Sequence, residues 1–407
     1  MRDNDGDGLF CDDNNAVVLE DCEFVNNKRG GVWFVGSSVD VKRCRFQYNS
    51  WRGMNFVYGS TGLVADSIIE ENNTDCSEDP FPKGGGIYIY KNSTPIFYNC
   101  DIRKNRVTEN NMNHFGGGVM IDGASPIFIR CINRDNTSFI DTWSDGGGGV
   151  YIDNSPMTKF INSMFLNNEG LRGSMLIEYY SHVELNGCVF SGNKSWWAES
   201  ALTCRNDSTV NLYSITSINN TLLPYPFSVY NQNGYGFTYS IMEIGNSILW
   251  DQVPEVIVEK DSGVTCNVSN SCIIGGWPGE GNISENPLLI DEGSTTQTES
   301  KEWLWEEGYY MLQSKALGFP EDSPCIDAGT TDTASQDAAR PPGQGTSRCD
   351  MGAFGGPYNE GWKYYLVGPL VNYMMGVSPG YPFDANNDGK IDVADIIDCI
   401  GYIPPLP

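Results

Sequence analysis

Residues 384–395, DANNDGKIDVAD, carry the strongest chemical motif of the chain. Asp384, Asn386, Asp388, Asp392 and Asp395 fall at loop positions one, three, five, nine and twelve, with Gly389 at six and Lys390 at seven. Calcium takes six to eight hard oxygens, and this spacing wraps them round one ion while glycine makes the sharp turn and Lys390 offers its carbonyl. The apolar-periodic run 393–403 that follows reads as a helix. A weaker echo opens the chain, where Asp3, Asp5, Asp7 and Gly8 fit positions one, three, five and six, but Cys11 and Asn14 fail positions nine and twelve. That loop is either a second calcium site or a solvated acidic linker. Half-sites at both ends also imply end-to-end assembly, in which one chain's C-terminus completes a module with the N-terminus of the next and forms a filament.

A second set of carboxylates recurs at one place in a repeated strand. Asp122, Asp153 and Glu178 end the copies VMID, VYID and MLIE, flanked by Tyr88, Tyr90 and Tyr151. Stacked ~4.8 Å apart, they are a glycosidase acid and nucleophile, which need about 5–5.5 Å when retaining, or a calcium site, or a solvated face. Trp143, Trp196 and Trp197 lie on neighbouring loops and are sugar platforms or lateral packing. A lyase acting on acidic sugars needs a basic Lys or Arg, and no candidate is apparent.

The elements that must hold these groups are written in a gapless internal repeat. Segments ending at Asn27, Asn49, Asn72, Asn105, Asn136, Asn168, Asn193 and Asn220 align, with Cys22, Cys44, Ser67, Cys100, Cys131, Ser163, Cys188 or Ile215 five residues earlier. Three before the Asn stands an apolar residue, except at Asn133 and Ser217. The interval varies from 22 residues (Cys22 to Cys44) to 33 (Ser67 to Cys100) while the motif keeps register, as in a solenoid with loops on one edge. Stacked coils would place the asparagines in a hydrogen-bonded ladder. Glycine-led strands VWFV, MNFV, IYIY, VMID, VYID, MLIE and ALTC form a second repeat that points Val32, Ile87, Val119, Val150 and Met175 inward. Their preceding glycines are expected to turn a corner with positive φ.

On these residues, GGGIYIYKNSTPIFYNC among them, the chain resembles secreted bacterial right-handed parallel β-helix proteins over roughly residues 16–280. The resemblance implies an all-β parallel solenoid and no catalytic motif. NPLLID, EGYYMLQ, SPCIDAG and CDMGAFG resemble the closing region of such proteins (281–356), with Trp303, Trp305, Tyr309 and Tyr310 as apolar cover for the open last coil. Beyond a linker, the loop and helix of 357–407 resemble one half of a dockerin; a second half is absent. This implies calcium as cofactor and a cohesin-like partner.

Composition narrows the function further. The net charge of −27, from 52 acidic against 25 basic residues, argues against nucleic acid, whose phosphates need a basic surface. Two histidines, His114 and His182, leave little material for a histidine metal centre or a Ser-His-Asp triad. The best apolar run, 364–377, is too short and interrupted for a membrane span. MRDNDGDG reads as a trimmed start. Of 13 cysteines, the five in the ladder column read as buried small hydrophobes, and Cys325 with Cys349 as a disulfide. Among the sequons, Asn92, Asn206 and Asn282 suit glycosylation best. The expectation is a secreted or cell-surface scaffold, adhesin or fibre subunit; the alternative is a polysaccharide lyase or glycoside hydrolase displayed by the dockerin-like segment.

Overall fold

The computed structural model describes residues 1–12, 15–75, 84–108, 115–139, 146–196, 199–220, 225–231, 237, 239–251, 257–260, 263–297, 303–306, 310–315, 319–331, 348–355, 370–371, 374–375 and 390–396. Among them, three parallel sheets of ten strands each wind as a solenoid. The first sheet runs from Leu9–Cys11 to Ile257–Lys260, the second from Ala16–Glu20 to Val264–Ser269, and the third from Glu23–Val25 to Cys272–Ile273. Each coil visits the three in turn. A five-stranded sheet from Asn73–Asp75 to Lys194–Ser195 fills the return to the first sheet in the middle coils.

Both repeats are rows of this stack. Val32, Ile87, Val119, Val150 and Met175 are buried in one continuous core with Phe34, Ile89, Ile121, Ile152 and Ile177. Rings stack coil on coil, Phe97 on Phe128 at 4.8 Å and Phe165 on Phe190 at 4.7 Å. The Cys/Ser-to-Asn repeat is a corner followed by a strand of the third sheet. Non-glycine residues in the left-handed region bracket that strand: Asp21 and Asn26, Arg43 and Tyr48, Asp66 and Glu71. The glycines before the first sheet serve a different purpose from the one expected. Gly86 and Gly118 do not have positive φ; a Cβ on Gly86 would sit 2.6 Å from the Gly118 carbonyl oxygen of the next coil. Close approach of backbones, rather than turn geometry, excludes side chains there.

The ladder asparagines are buried and joined in sequence. Asn105 donates its backbone N–H (2.9 Å) and Nδ2 (3.1 Å) to Asn136 Oδ1, and Nδ2 also reaches the Ile69 carbonyl at 2.8 Å. Its own Oδ1 accepts from the backbone N–H and Nδ2 of Asn72 at 3.1 and 2.9 Å. The pattern continues from Asn27 to Asn220. The two exceptions to the apolar column join it: Asn136 Nδ2 donates to Asn133 Oδ1, and Asn220 Nδ2 to Ser217 Oγ. Two further members lie outside the repeat as read from sequence. Asn4 donates Nδ2 to Asn27 Oδ1 at 2.6 Å, so the coils reach into residues 1–15, which the sequence suggested were a separate acidic segment. Asp251 receives the backbone N–H and Nδ2 of Asn220 at 2.7 and 3.0 Å.

The closing region is not simply an end cap. Ile274 and Trp277 pack on the last of the core. Leu289, Tyr310, Met311, Leu312, Cys325, Met351 and Phe354 instead cover the outward row of the third sheet, against Met164, Val189, Ile218, Ile248 and Cys272. That row is ionic in the earlier coils, where Glu70, Asp101, Arg103 and Arg134 pair with one another, and apolar from Met164 onward. Tyr310 is buried as expected; Tyr309 and the side chains of Trp303 and Trp305 lie outside the described residues. Cys22, Cys44, Cys100, Cys131 and Cys188 form no disulfide, and neither do Cys325 and Cys349, which were expected as one.

The last rung carries a testable charge. Asp251 is wholly buried, and burial pushes its carboxyl up to about 6 against the hydrogen bonds from Ser217 and Asn220. An unfolded aspartate titrates near ~3.9, so the folded state holds the proton more tightly. This contribution to stability is complete below about pH 4 and is lost as pH rises through about 6, a change of about 3 kcal/mol. Asp251→Asn removes that slope, because the amide is neutral throughout and can donate to Ser217 Oγ. Urea unfolding at pH 4, 5, 6 and 7 measures the difference; identical pH dependence in both proteins rejects the assignment.

Candidate functional site

The outward side chains at the ends of the first-sheet strands form one row. Register places Tyr90, Asp122, Asp153 and Glu178 in line, one per coil. The structure therefore brings together the three carboxylates expected from sequence. It also adds two members, because Arg205 follows Glu178 and pairs in register with Tyr230. The basic residue missing from the sequence reading is this Arg205. The copy ALTC was set one residue out of register: Met175 pairs with Leu202, so the strand copy is Leu202–Arg205, shifted by an irregularity between Glu199 and Leu202. A bulge displaces the pattern without changing its composition.

Glu178 and Arg205 are closed off from solvent, each with a fully buried side chain. Glu178 Oε2 accepts from Arg205 Nε at 2.5 Å, and Oε1 from the Tyr151 hydroxyl at 2.5 Å. Arg205 Nη1 reaches the Tyr230 hydroxyl at 3.0 Å. Burial, followed by the Glu178 and Asp153 charges, pushes the Tyr151 hydroxyl well up, which keeps it a donor. Arg172 pairs with buried Glu199 beside the same Tyr230 ring. A carboxylate with both oxygens engaged and no exposed surface does not meet a polymer. Asp122 and Asp153 remain half-buried.

The corner just beyond this row is open. Tyr58 is 57% exposed and Tyr180 60%. Tyr58 packs edge-on to Tyr90 at 5.5 Å, Tyr90 stacks on Tyr88 at 5.6 Å, and Lys91 Nζ lies 5.4 Å over the Tyr58 ring. Four coils away, about 19 Å at ~4.8 Å per coil, Tyr179 and Tyr180 pack on Phe237 at 5.8 and 6.3 Å. Gly123 and exposed Asn154 occupy the corner between, and no atom lies closer than 3.9 Å to a Cβ built on Gly123. Trp196 is 56% exposed; Trp143 and Trp197 lie outside the described residues.

Residues 1–137 match the family described as "Right handed beta helix region". With the parallel three-sheet stack already described, this decides the fold. The chain is a right-handed parallel β-helix. A solved structure titled "Crystal structure of pectate lyase Pel9A" is similar at 15% identity and a TM-score of 0.44, over 80% of this chain and 72% of that one. No curated protein matches the chain.

The acidic opening loop is built into this β-helix. Asp3 Oδ1 accepts from Asn26 Nδ2 at 2.5 Å, Asp5 pairs with Lys28 at 2.6 Å, and Asp7 Oδ1 accepts from the Gly30 N–H at 2.8 Å. Each carboxylate is thus bonded to the next coil. In the C-terminal motif, Asp384, Asn386 and Asp388 lie outside the described residues, while Lys390, Asp392 and Asp395 lie within them. There Asp392 Oδ1 accepts from the Ala394 N–H at 2.8 Å and Asp395 Oδ2 from the Asp392 N–H at 2.7 Å, a reciprocal cap on the helical residues 393–396. Ile391 and Ile396 pack on the closing region. Of the favoured sequons, Asn92 is exposed, Asn282 spends its Nδ2 on the Val268 and Trp277 carbonyls, and Asn206 is buried, which removes it as a glycan acceptor.

The buried pair sets a prediction about structure rather than catalysis. Arg205→Ala leaves Glu178 charged and unpaired in the interior, which costs about 3–5 kcal/mol. Replacing both together, Glu178→Met with Arg205→Met, costs markedly less because no charge is stranded. Thermal and urea unfolding of the two variants check this; equal losses would show that the pair is not the unit.

Proposed function

We propose that the protein is a rigid adhesive rod of the cell surface or extracellular space that binds a neutral glycan along the corner after the first sheet and does not cleave it. The observation that carries this reading is the pair of exposed tyrosine clusters at Tyr58 and Tyr180, held four coils apart on a backbone that cannot shift register. Tyrosine offers an apolar ring face to the C–H face of a sugar and a hydroxyl to its polar rim. Asp122, Asp153 and Asn154 supply acceptors along the interval, in keeping with sites that combine aromatic walls and a few fixed polar groups. A net charge of −27 disfavours an acidic polymer. Glu178 is committed to Arg205 and Tyr151, so the row lacks an accessible acid and nucleophile of three members.

A glycosidase remains the second reading, favoured by Asp122 and Asp153 on adjacent coils at a spacing close to that of retaining enzymes. Glycan-array and calorimetric titration with neutral and acidic oligosaccharides separates the two. Adhesion predicts binding of neutral chains, at least tenfold weaker in Tyr58→Ala and in Tyr180→Ala, with no product released. Oligosaccharide release by the native protein, lost in Asp122→Asn and Asp153→Asn, makes the enzyme reading correct instead.

The C-terminal loop gives the rod an attachment point. Asp384, Asn386, Asp388, Asp392, Asp395 and the Lys390 carbonyl would hold calcium, which neutralises four converging carboxylates. The capped helix start at Asp392 and Asp395 supports this reading, since it fixes the exit of the loop. End-to-end contact with a second copy follows once that loop is ordered; a cohesin-like partner is the other occupant. Calcium should raise hydrogen-exchange protection of residues 384–403, by about 2.7 kcal/mol at a hundredfold excess over the dissociation constant. Asp384→Ala with Asp388→Ala should abolish that gain and any calcium-dependent polymer seen by sedimentation. Equal protection in calcium and in chelator sinks the calcium claim.

A further inference from the structure

The corner between the first and second sheets is pinned on both sides, so its length alone decides how far it projects. On the first-sheet side the Tyr58 N–H donates to the Tyr90 carbonyl at 3.3 Å, Lys91 to Asp122 at 2.9 Å, Gly123 to Asp153 at 3.0 Å and Asn154 to Glu178 at 3.4 Å. On the other side runs a row of serines. The Ser37 N–H donates to Ser60 Oγ at 3.3 Å, Ser60 to Ser93 at 3.2 Å, Ser155 to Ser181 at 3.1 Å and Ser181 to Ser208 at 3.2 Å. Ala124 interrupts the row without shifting it, because the Ser125 N–H meets the Ser93 carbonyl at 2.9 Å and Ser155 Oγ meets the Ala124 carbonyl at 2.5 Å. Between the two pinned rows some coils hold two residues and others one. Tyr58 with Gly59, Lys91 with Asn92, Tyr179 with Tyr180 and Asn206 with Asp207 are pairs, every member in the left-handed region; Gly123 and Asn154 stand alone, at φ 61° and 48°. A second residue adds ~3.8 Å of chain between fixed points, and it can only bulge outward.

The corner is therefore recessed for two coils and raised on either side of them. Its walls are Lys91 and Asn92 at one end and Tyr179 and Tyr180 at the other, three coil spacings or ~14 Å apart. Lys91 is held over the Tyr58 ring, and both tyrosines of the far wall pack on Phe237. The floor carries no side chain at Gly123, and Asp122 and Asp153 end the strands that lead into it. Glycine is not demanded there by the backbone. Tyr58, Lys91, Asn154 and Tyr179 hold the same corner position with the same left-handed φ, and the nearest atom to a Cβ built on Gly123 is 3.9 Å away. What distinguishes this coil is the space that the missing side chain leaves.

We propose that this recess seats the glycan, that the chain crosses the rod there, and that the one-residue corner at Gly123 is what admits it. The proposal rests on the glycan-binding reading and adds to it a direction and a residue that sets specificity. A chain lying along the axis meets a raised corner at each end of the recess, whereas the corner falls away to a sheet face on either side. A crossing chain leaves the recess at both ends, so the occupant is an interior stretch of a linear polymer and not its terminus. The two tyrosine clusters then stand on opposite sides of one chain. Tyr180 offers a ring face and a hydroxyl from one wall, and the Asn92 amide and Lys91 ammonium offer donors from the other. Asp122, Asp153 and Asn154 take sugar hydroxyls from below.

The test titrates the full chain calorimetrically with cello-, xylo- and manno-oligosaccharides, each with a free reducing end and with a fluorescent tag on it. Gly123→Tyr, and insertion of one Asn between Gly123 and Ala124 to copy the corner of Lys91 and Asn92, should each weaken binding by about tenfold or more, because they fill or raise the floor. Thermal unfolding should stay as in the native protein, and the tag should leave affinity unchanged. Tyr58 and Tyr179 show that the position carries tyrosine, so Gly123→Tyr decides alone if the insertion unfolds the corner. Native affinity in Gly123→Tyr overturns the recess as the seat, while a loss in Tyr180→Ala would still uphold the glycan reading. Binding abolished by the tag places a chain end in the recess and overturns the crossing. No binding of any oligosaccharide by the native protein rejects the glycan reading, and the proposal with it.

Discussion

The asparagine ladder is the interaction on which the remainder depends. An apolar core alone lets coils slide, since one valine above another is much like its neighbour. Each ladder amide removes that freedom by satisfying three buried groups at once: the backbone N–H of the preceding Asn, its Nδ2, and through its own Nδ2 a carbonyl of the preceding coil. A shift by one residue would leave all of them unmatched in the interior, at a cost of about 1–3 kcal/mol each. Register is therefore fixed at every coil, and the rows outside inherit it. This is why Asp122, Asp153 and Glu178 stand in line although the loops between them differ in length.

The ladder also has a direction. Donors point toward the C-terminal end, so the last acceptor needs nothing beyond it. Asp251 suits that position because a carboxylate accepts the Asn220 N–H and amide and asks for no further acceptor in the next coil. The counterweight is burial of a charge, which explains why the carboxyl is pushed up even though three groups donate to it. Asn4 stands at the opposite end and donates to Asn27. Those two ends lie outside the repeat motif. Asn4 lies in a segment read as acidic loop, and Asp251 has a different residue type but the same acceptor geometry.

Much of the fold was legible because stacking repeats a residue type at each rung. The inward rows, the ladder and the cysteines of its column, buried in all but Cys22, could all be read as periodic signals. Three features could not. The left-handed corners at Asp21, Arg43 and Asn99 share a conformation without sharing a residue type. The glycines before the first sheet are required by the neighbouring coil's carbonyls, which sequence does not display. Arg205 was lost to a bulge that displaced a four-residue copy by one. Of the candidate site, the acidic members were legible and their fate was not, because the Arg205 guanidinium that consumes Glu178 comes from the misaligned coil.

The outward rows of such a solenoid have equal geometry and unequal uses, and this bears on where function can sit. On the third sheet the row is ionic to Arg134, then apolar and covered by the closing region. On the first sheet it passes from Tyr90 through half-buried carboxylates into the sealed Glu178 and Arg205 pair. On these two sheets the outer face is thus largely occupied by the protein itself. Corners escape that demand: a residue added there lengthens a loop without moving the rung above or below. Tyr58 and Tyr180 occupy such corners while their strands remain locked in the stack, which joins an exposed surface to a fixed spacing. On the proposed reading, a change of corner residues alone would change what is bound, and the ladder beneath them need not change.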